Sequence, residues 1–309
     1  MIPDIVLLGP TCSWKSSAAI RIAQKLDAEI ISCDSMQVYK GLEIGTAQPD
    51  AEELAAIPHH LIGIFSIHEP YDVNRFLSLA ASIREEVHKR GKQAIIVGGT
   101  GLYAKSLVYG HALLPANAKL FEQIKAQLDS PGGRTQLEEE LSAVAQGRDN
   151  IPKDVLLNPR RLLRAVEVAR LTGRTPWDLN HSSNQPQQEF KQFVILPELE
   201  LLKQRIRQRT AAMMKKGWVQ EAQRAIGNGL MQAPTARQAL GYRDIAEYLS
   251  GDGSDSLPAL EELLVSRTIH YARRQLTWFK HQHPGATFIP ISPQDSPLET
   301  ICSAILPSP

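Results

Sequence analysis

The sequence predicts an α/β protein, a parallel sheet flanked by helices with a helical insertion. Three observations point there. Short apolar runs of strand length alternate with stretches of helical period. A glycine-bounded loop with a Lys-Ser pair joins the first run to the first helix. From residue 113 onward strand-like runs give way to a helical pattern. Strands separated by helices cannot close tight hairpins, so they pair in parallel through crossovers, and the helices cover the sheet.

Taken in order, residues 5–8 are an apolar run ending at Gly9, as expected of a strand buried on both faces. Residues 16–26 place Ala19, Ile20, Ala23 and Leu26 at helical spacing. Residues 28–33 read as a second strand running into Asp34, and residues 61–64 as a third, weaker one. Over residues 73–90 the spacing of Phe76, Leu79, Ala80, Ile83 and Val87 predicts an amphipathic helix, with Gly91 at its C-terminal end. Residues 94–97 give another strand, stopped by Gly98-Gly99. From 113 to about 188 the pattern is helical, with a Pro131-Gly132-Gly133 break and a polar stretch over 180–188. Residues 193–196 return to the sheet, and helices and a short tail complete the chain. The predicted organisation is a core begun by 1–112, a helical insertion over 113–190, and 191–309 completing the core.

With 309 residues and 43% hydrophobic content, the chain can bury one main core with an elaboration. Its net charge of +1 means that any nucleic-acid surface must come from local clustering. Cys12, Cys33 and Cys302 are too few for a disulfide framework and lack metal-ligand spacing, so reduced thiols are expected. Residues 1–4 do not open a signal peptide, and no apolar run reaches the roughly 18 residues of a membrane span. A soluble, cytoplasmic protein is expected.

The chemistry begins at Gly9-Pro10-Thr11-Cys12-Ser13-Trp14-Lys15-Ser16, which nearly fits the phosphate-binding loop G-x-x-x-x-G-K-[ST]. The core is therefore read as P-loop NTPase-like. In such a loop consecutive backbone N–H groups and a helix N-terminus cradle phosphate oxygens, the lysine neutralises charge, and the hydroxyl can hold Mg²⁺. Lys15 and Ser16 stand where this chemistry needs them. Trp14 occupies the glycine position, where a Cβ strains a positive φ by about 1–3 kcal/mol and the indole can crowd the phosphate. Asp34 follows the second strand, in Asp34-Ser35-Met36-Gln37-Val38-Tyr39-Lys40, and faces the same crevice as the loop. A carboxylate there can take a proton from a nucleophile, associate with Mg²⁺ or cap a helix. These residues alone leave several classes of phosphate-handling enzyme open.

Together with segments further on, they resemble the tRNA dimethylallyltransferases, also called tRNA isopentenyltransferases. The matching pieces follow the family's order along most of the chain. After the two segments above come Ile44-Gly45-Thr46-Ala47, His59-His60-Leu61-Ile62 and Val97-Gly98-Gly99-Thr100-Gly101-Leu102-Tyr103. Then follow the run from Asn158-Pro159-Arg160-Arg161-Leu162-Leu163-Arg164 to Val168, Gly241-Tyr242-Arg243, and Tyr271-Ala272-Arg273-Arg274-Gln275-Leu276-Thr277-Trp278-Phe279. Two positions depart: Trp14 replaces the family's glycine and Gly63 its usual aspartate.

The resemblance implies transfer of a dimethylallyl group from dimethylallyl diphosphate to N6 of the adenosine 3′ of the anticodon, in tRNAs reading codons that begin with U, giving N6-isopentenyladenosine. By the same resemblance Asp34 is the base and Thr100 positions the amine. Lys15, the loop N–H groups of residues 9–16, Mg²⁺ at Ser16 and Arg209 stabilise the leaving diphosphate. The partner is the tRNA anticodon stem-loop, met by Asp34, Ser35, Met36, Gln37 and Thr100, by Arg160, Arg161, Leu162, Leu163 and Arg164, and by Gly241, Tyr242 and Arg243. The target adenine must leave its stack, and Ser35 and Gln37 are placed to hydrogen-bond it. A monomer is expected.

Basic residues cluster despite the neutral total. Arg160, Arg161, Arg164, Arg170 and Arg174 have Glu167 as their one nearby acid, and residues 201–220 carry Lys203, Arg205, Arg207, Arg209, Lys215 and Lys216 with none. Arg267, Arg273, Arg274 and Lys280 punctuate a stretch without Asp or Glu. Such patches suit a phosphate backbone. Trp278, Phe279, Met213 and Met214 read as core, and His59 and His60 lack further ligands at zinc-like spacing. A small-molecule P-loop kinase shares the loop and the aspartate but needs neither the insertion nor the basic C-terminal half. A free-adenylate prenyltransferase and a non-catalytic tRNA-binding homologue, the latter motivated by Trp14, complete the alternatives.

Overall fold

The computed structural model describes residues 2–110, 114–179, 187, 189–251 and 256–306. The predicted boundary at 112–113 and most of the polar stretch over 180–188 lie outside them. Two compact units are present: Met1–Tyr109 with Asn184–Pro309, and Gly110–Ser183. None of the described helices is long and apolar enough to cross a membrane.

The first unit is built on six strands: β1 (Asp4–Leu8), β2 (Ala28–Ser32), β3 (His59–His60), β4 (Gln93–Gly98), β5 (Phe190–Pro197) and β6 (Thr287–Ile291). They form one sheet in the order β3-β2-β4-β1-β5-β6, with every pair parallel. Its helices are α1 (Lys15–Leu26), α2 (Ala51–Ala56), α3 (Val73–Lys89) and α4 (Gly101–Tyr109). In the second unit lie α5 (Ala118–Leu128), α6 (Gly133–Val144), α7 (Lys153–Leu157), α8 (Pro159–Thr172) and α9 (Pro176–Leu179). The first unit then resumes with α10 (Leu199–Lys215), α11 (Trp218–Gly227), α12 (Tyr242–Ser250), α13 (Leu257–Gln282) and α14 (Pro297–Ile305).

Near-continuous apolar runs form the central strands because both sheet faces are covered, and successive side chains divide between them. Val6, Leu8, Ile31, Ile96 and Val194 pack with Phe76 and Ala80 of α3, Ala104 and Val108 of α4 and Phe279 of α13. Ile5, Leu7, Ile30, Ile95, Val97 and Ile195 pack on the other face with Ala18, Ala19, Ile22 and Ala23 of α1 and Ile301 of α14. Each fully buried aliphatic side chain here contributes roughly 1.5–3 kcal/mol. Phe279 lies in this core as expected, and Met213 and Met214 pack against it. In the second unit, Leu162, Leu163 and Val166 of α8 pack with Ile124, Leu137, Leu141 and Val155.

Two elements differ from the sequence reading. The third strand is His59–His60 rather than 61–64, because Leu61 and Gly63 both have positive φ (63° and 56°), which breaks an extended run. Gly63 fits this left-handed position without the strain of a Cβ. The sixth strand, expected to be tail, is an edge strand whose buried Ile289 and Ile291 alternate with exposed Phe288 and Pro290. A proline is tolerated in a sheet at such an edge.

What positions the site is the sheet's carboxyl edge. β4 lies between β1 and β2, so the loops after all three strands converge there. Gly98 permits that convergence: a Cβ on it would lie 1.9 Å from the Cys33 carbonyl oxygen.

Candidate active site

A cavity of about 350 Å³ opens at this edge, lined among others by Thr11, Lys15, Ser16, Asp34, Gln37 and Arg209. Its size suits a small ligand. Phosphate-loop residues reach it because α1 starts at Lys15, directly after the loop.

Lys15 donates to the Pro10 carbonyl at 3.2 Å. Burial, reinforced by the Arg209 guanidinium and opposed by Asp34, lowers its pKa to about 8. These three charges therefore share one field, with cations at the loop and the carboxylate across from them. Arg209, on α10, donates to Thr11 Oγ1 at 3.2 Å and approaches Cys12 Sγ at 3.5 Å. An anion entering between Lys15 and Arg209 would relieve their mutual repulsion.

Trp14 adopts the left-handed conformation, φ 63° and ψ 4°. Its indole does not line the cavity. It packs on the α1 face of the sheet, under the Arg205 guanidinium at 4.0 Å from the ring centroid. Arg205 also donates to the Cys12 carbonyl at 3.1 Å. A cation over an indole face contributes about 0.5–2 kcal/mol, of the order of the strain of a left-handed non-glycine residue. The side chain thus packs on that face rather than in the cavity lining. Ser13 Oγ is buried and has no partner among the described residues, a polar atom inside the loop with unused hydrogen-bonding capacity.

Asp34 lies two residues beyond β2. One carboxylate oxygen accepts from the Met36 and Gln37 N–H groups at 2.9 and 3.3 Å, fixing the side chain. The other has no hydrogen-bond partner among the described residues, while the side chain lines the cavity. Thr100 does not line it. Its hydroxyl accepts from the Ser35 N–H at 3.0 Å and donates to Ser35 Oγ at 3.4 Å, so it stands behind Ser35. Ser35 and Met36 line the wall. Gln37 lines it too, but its amide donates to the Ala47 and Thr46 carbonyls at 2.8 and 3.3 Å and accepts from Ser32 Oγ at 2.9 Å. That amide serves to pin the 46–47 loop.

Several expected contact residues face inward. Tyr242 is fully buried and donates to Glu221 at 2.6 Å. Gly241 beside it is buried with φ 88°, and Arg243 is exposed. In the second unit Leu162 and Leu163 are core, so the charged side chains that α8 offers to solvent are its arginines, Arg160, Arg161 and Arg170 exposed and Arg164 half-buried. Asn158 caps that helix, accepting from the Arg160 and Arg161 N–H groups. Arg161 pairs with Asp154, and Arg164 with the buried Glu167 and the Leu114 carbonyl. Arg160 makes no ion pair among the described residues.

The basic clusters are less bare than the sequence implied. Arg170 pairs with Glu140, Lys203 with Glu200, Arg207 with Glu262 and Arg267 with Asp244. These acids come from elsewhere in the chain or from just outside the window, where local counting does not find them. His60 pairs with Glu29, and no cluster of three or more His, Cys, Asp or Glu able to hold a metal occurs among the described residues.

A sequence profile of the family described as "IPP transferase" matches residues 37–282. The chain belongs to the IPP transferase family. It is 37% identical over 289 residues to the tRNA dimethylallyltransferase of Thermus thermophilus, covering 92% of each chain. It is 36% identical over 282 residues to that of Deinococcus radiodurans, covering 90% of this chain and 89% of the relative. Among solved structures, the full-length tRNA isopentenylpyrophosphate transferase of Bacillus halodurans superposes with a TM-score of 0.68 at 30% identity, over 97% of this chain and 94% of the other.

Within this IPP transferase fold, four residues beyond the expected site residues shape the site. Arg205 covers Trp14, Tyr271 and Gln275 line the cavity from α13, and Glu221 anchors the loop at Ile44 and Gly45. The Tyr271 hydroxyl is held protonated above its ordinary range by burial and by Asp34. A signal for Gln275 was present, a polar residue at the helical period of buried Ala272 and Phe279.

Proposed function

We propose that this chain transfers a dimethylallyl group from dimethylallyl diphosphate to N6 of the adenosine 3′ of the anticodon, in tRNAs reading codons that begin with U. One observation carries this reading. Lys15 and Arg209 at the anion end, and Asp34 with an unpartnered carboxylate oxygen, line one cavity of about 350 Å³. Family membership and the tRNA dimethylallyltransferase activity of its relatives supply the substrate class.

The C1–O bond of the donor breaks with its electron pair leaving on the diphosphate. The N6 lone pair forms the new N–C1 bond, and the N6 proton passes to Asp34. Lys15, Arg209 and the loop N–H groups hold the charge that grows on the bridging oxygen. Ser16 lines the same cavity and would offer Mg²⁺ a hard hydroxyl oxygen beside the leaving diphosphate, leaving the free Asp34 oxygen for the proton. Mg²⁺ held there would supply further neutralisation of the leaving group. Ser35, backed by Thr100, lines the wall where the adenine enters. The chain works as a monomer in the cytoplasm, on the anticodon stem-loop of tRNA, with Arg160 and Arg243 among its exposed cations.

The experiment is transfer from labelled dimethylallyl diphosphate, with Mg²⁺, to unmodified tRNA. The wild-type chain is expected to transfer, and no incorporation would overturn the proposal. Trp14→Gly run in parallel is expected to transfer within about threefold of wild type, since it relieves strain and loses a stack of similar magnitude. Activity in the glycine variant alone would mean that Trp14 disables the loop.

Lys15 also sets a pH dependence. Its pKa in the free protein is about 8. It is charged below that value and neutral above, so affinity for a diphosphate is greatest below pH 8 and falls as pH rises through it. kcat/KM for the donor, which reports the free protein, is expected to decline above about pH 8, while kcat declines at higher pH because bound diphosphate favours charged Lys15. A flat kcat/KM profile from pH 7 to 9.5 would remove Lys15 from this role.

A further inference from the structure

We infer that Gln275 is a positioning residue that sets the separation between the leaving-group loop and the acceptor loop. The inference rests on the prenyl-transfer reading and assigns a part to a side chain that reading leaves unused.

The β1–β4 register ends with Leu8 opposite Gly98. Beyond that pair one chain becomes the phosphate loop and the other the Gly99–Thr100 turn, on which the Ser35 wall rests. The Gln275 carboxamide spans the gap. Its Oε1 accepts from the Thr11 N–H at 2.9 Å, and its Nε2 donates to the Gly99 carbonyl at 2.9 Å. The side chain is 6% exposed, so water does not substitute for either bond.

The residue type follows from the partners. An N–H on one side and a carbonyl on the other require one group that accepts and donates together, which an uncharged carboxamide does and a carboxylate, an amine or an alkyl chain does not. The surrounding chain is shaped around it. A Cβ on Gly99 would lie 2.5 Å from Gln275 Nε2, so the turn can approach the amide only with glycine. The same face of α13 carries Tyr271 and Arg274 into the cavity and lays Trp278 on Gly101, where a Cβ would lie 2.2 Å from the indole. A 26-residue helix is thus the rigid brace for both loops.

The consequence is kinetic. In-line displacement requires C1 of the donor and N6 of the acceptor to meet at about 3–3.5 Å, and a misplacement near 1 Å costs about a hundredfold. With the bridge cut, each substrate still finds its own loop, but the two are out of register. A donor whose C–O bond loosens without its nitrogen in place is captured by water, giving dimethylallyl alcohol, diphosphate and a proton.

The test measures diphosphate release and prenyl-adenosine formation together in the wild-type chain, Gln275→Leu and Gln275→Glu. Gln275→Leu removes both bonds. It is expected to lower kcat for transfer about a hundredfold, leave both KM values within about threefold, and raise the ratio of diphosphate released to prenyl transferred above one. Gln275→Glu keeps the acceptor for Thr11 and cannot donate to Gly99, so a smaller kcat loss with the same rise in ratio is expected. A residue that only stabilises the fold would lower the melting temperature and both products together. A ratio that stays at one in both variants, or loss of folding in both, overturns the inference while leaving the proposed function intact. Absence of transfer by the wild-type chain overturns both.

Discussion

Asp34→Asn is expected to lower prenyl transfer by about a thousandfold while leaving KM for tRNA within about threefold. The substitution is mild for the fold. An asparagine oxygen can still accept from the Met36 and Gln37 N–H groups, which hold the side chain in place at 2.9 and 3.3 Å. What it removes is the other oxygen, which has no hydrogen-bond partner among the described residues on a side chain that lines the cavity. N6 of adenine is a weak nucleophile because its lone pair is delocalised into the ring, so bond formation needs its proton to leave. A carboxamide nitrogen cannot accept that proton. Steady-state kinetics on modified and unmodified tRNA, with circular dichroism to verify the fold, checks the prediction. Transfer within tenfold of wild type would take the base role from Asp34.

The sheet was legible because buried parallel strands are written as local apolar runs. Residues 5–8, 28–33 and 94–97 needed no tertiary information to be placed, and the structure extends or trims them by only one or two residues at an end. β3 and β6 were harder for opposite reasons. Leu61 and Gly63 lie in an apolar stretch but take positive φ, a backbone choice that hydrophobicity does not encode. β6 carries Pro290, which argues against a strand unless the strand is known to be an edge, and edge position is a property of the whole sheet.

The phosphate loop and Asp34 were legible for a related reason. They belong to strand ends, and strand ends in a parallel sheet converge. Asp34 is held by its own neighbours, but the partners that orient the phosphate loop come from α10 and α13, more than 190 residues away in sequence, as with Gln275 and Arg209 on Thr11 and Arg205 on Cys12. Trp14 shows the same limit. The sequence raised the crowding that a tryptophan brings to a glycine position, but not the Arg205 guanidinium that holds its indole outside the cavity. Acid counts within a window likewise missed Glu140, Glu262 and Asp244, which meet basic residues from elsewhere in the chain.

Glu221→Ala is expected to be the most destabilising single change in the first unit. Glu221 is 3% exposed, and its carboxylate accepts from the Ile44 N–H at 2.7 Å, the Gly45 N–H at 2.8 Å and the Tyr242 hydroxyl at 2.6 Å. Truncation leaves three buried donors without an acceptor and opens a cavity beside Trp218, whose own Nε1 already lacks a partner among the described residues. A loss of about 3–5 kcal/mol follows, read as a fall in melting temperature of about 8–16 °C. Tyr242→Phe removes one donor and keeps the carboxylate's two backbone bonds, so its loss should be about 1–2 kcal/mol. The effect reaches the site through the loop that Glu221 anchors. Gly45, Thr46 and Ala47 line the cavity, and the Thr46 and Ala47 carbonyls hold the Gln37 amide. Measured well below its transition, Glu221→Ala should therefore show a raised KM for tRNA, whereas Tyr242→Phe, altering a hydroxyl that never faces solvent, should not. Equal melting temperatures for wild type and Glu221→Ala would mean that the loop does not depend on this carboxylate. A raised KM for tRNA in Tyr242→Phe at unchanged stability would return Tyr242 to the RNA surface.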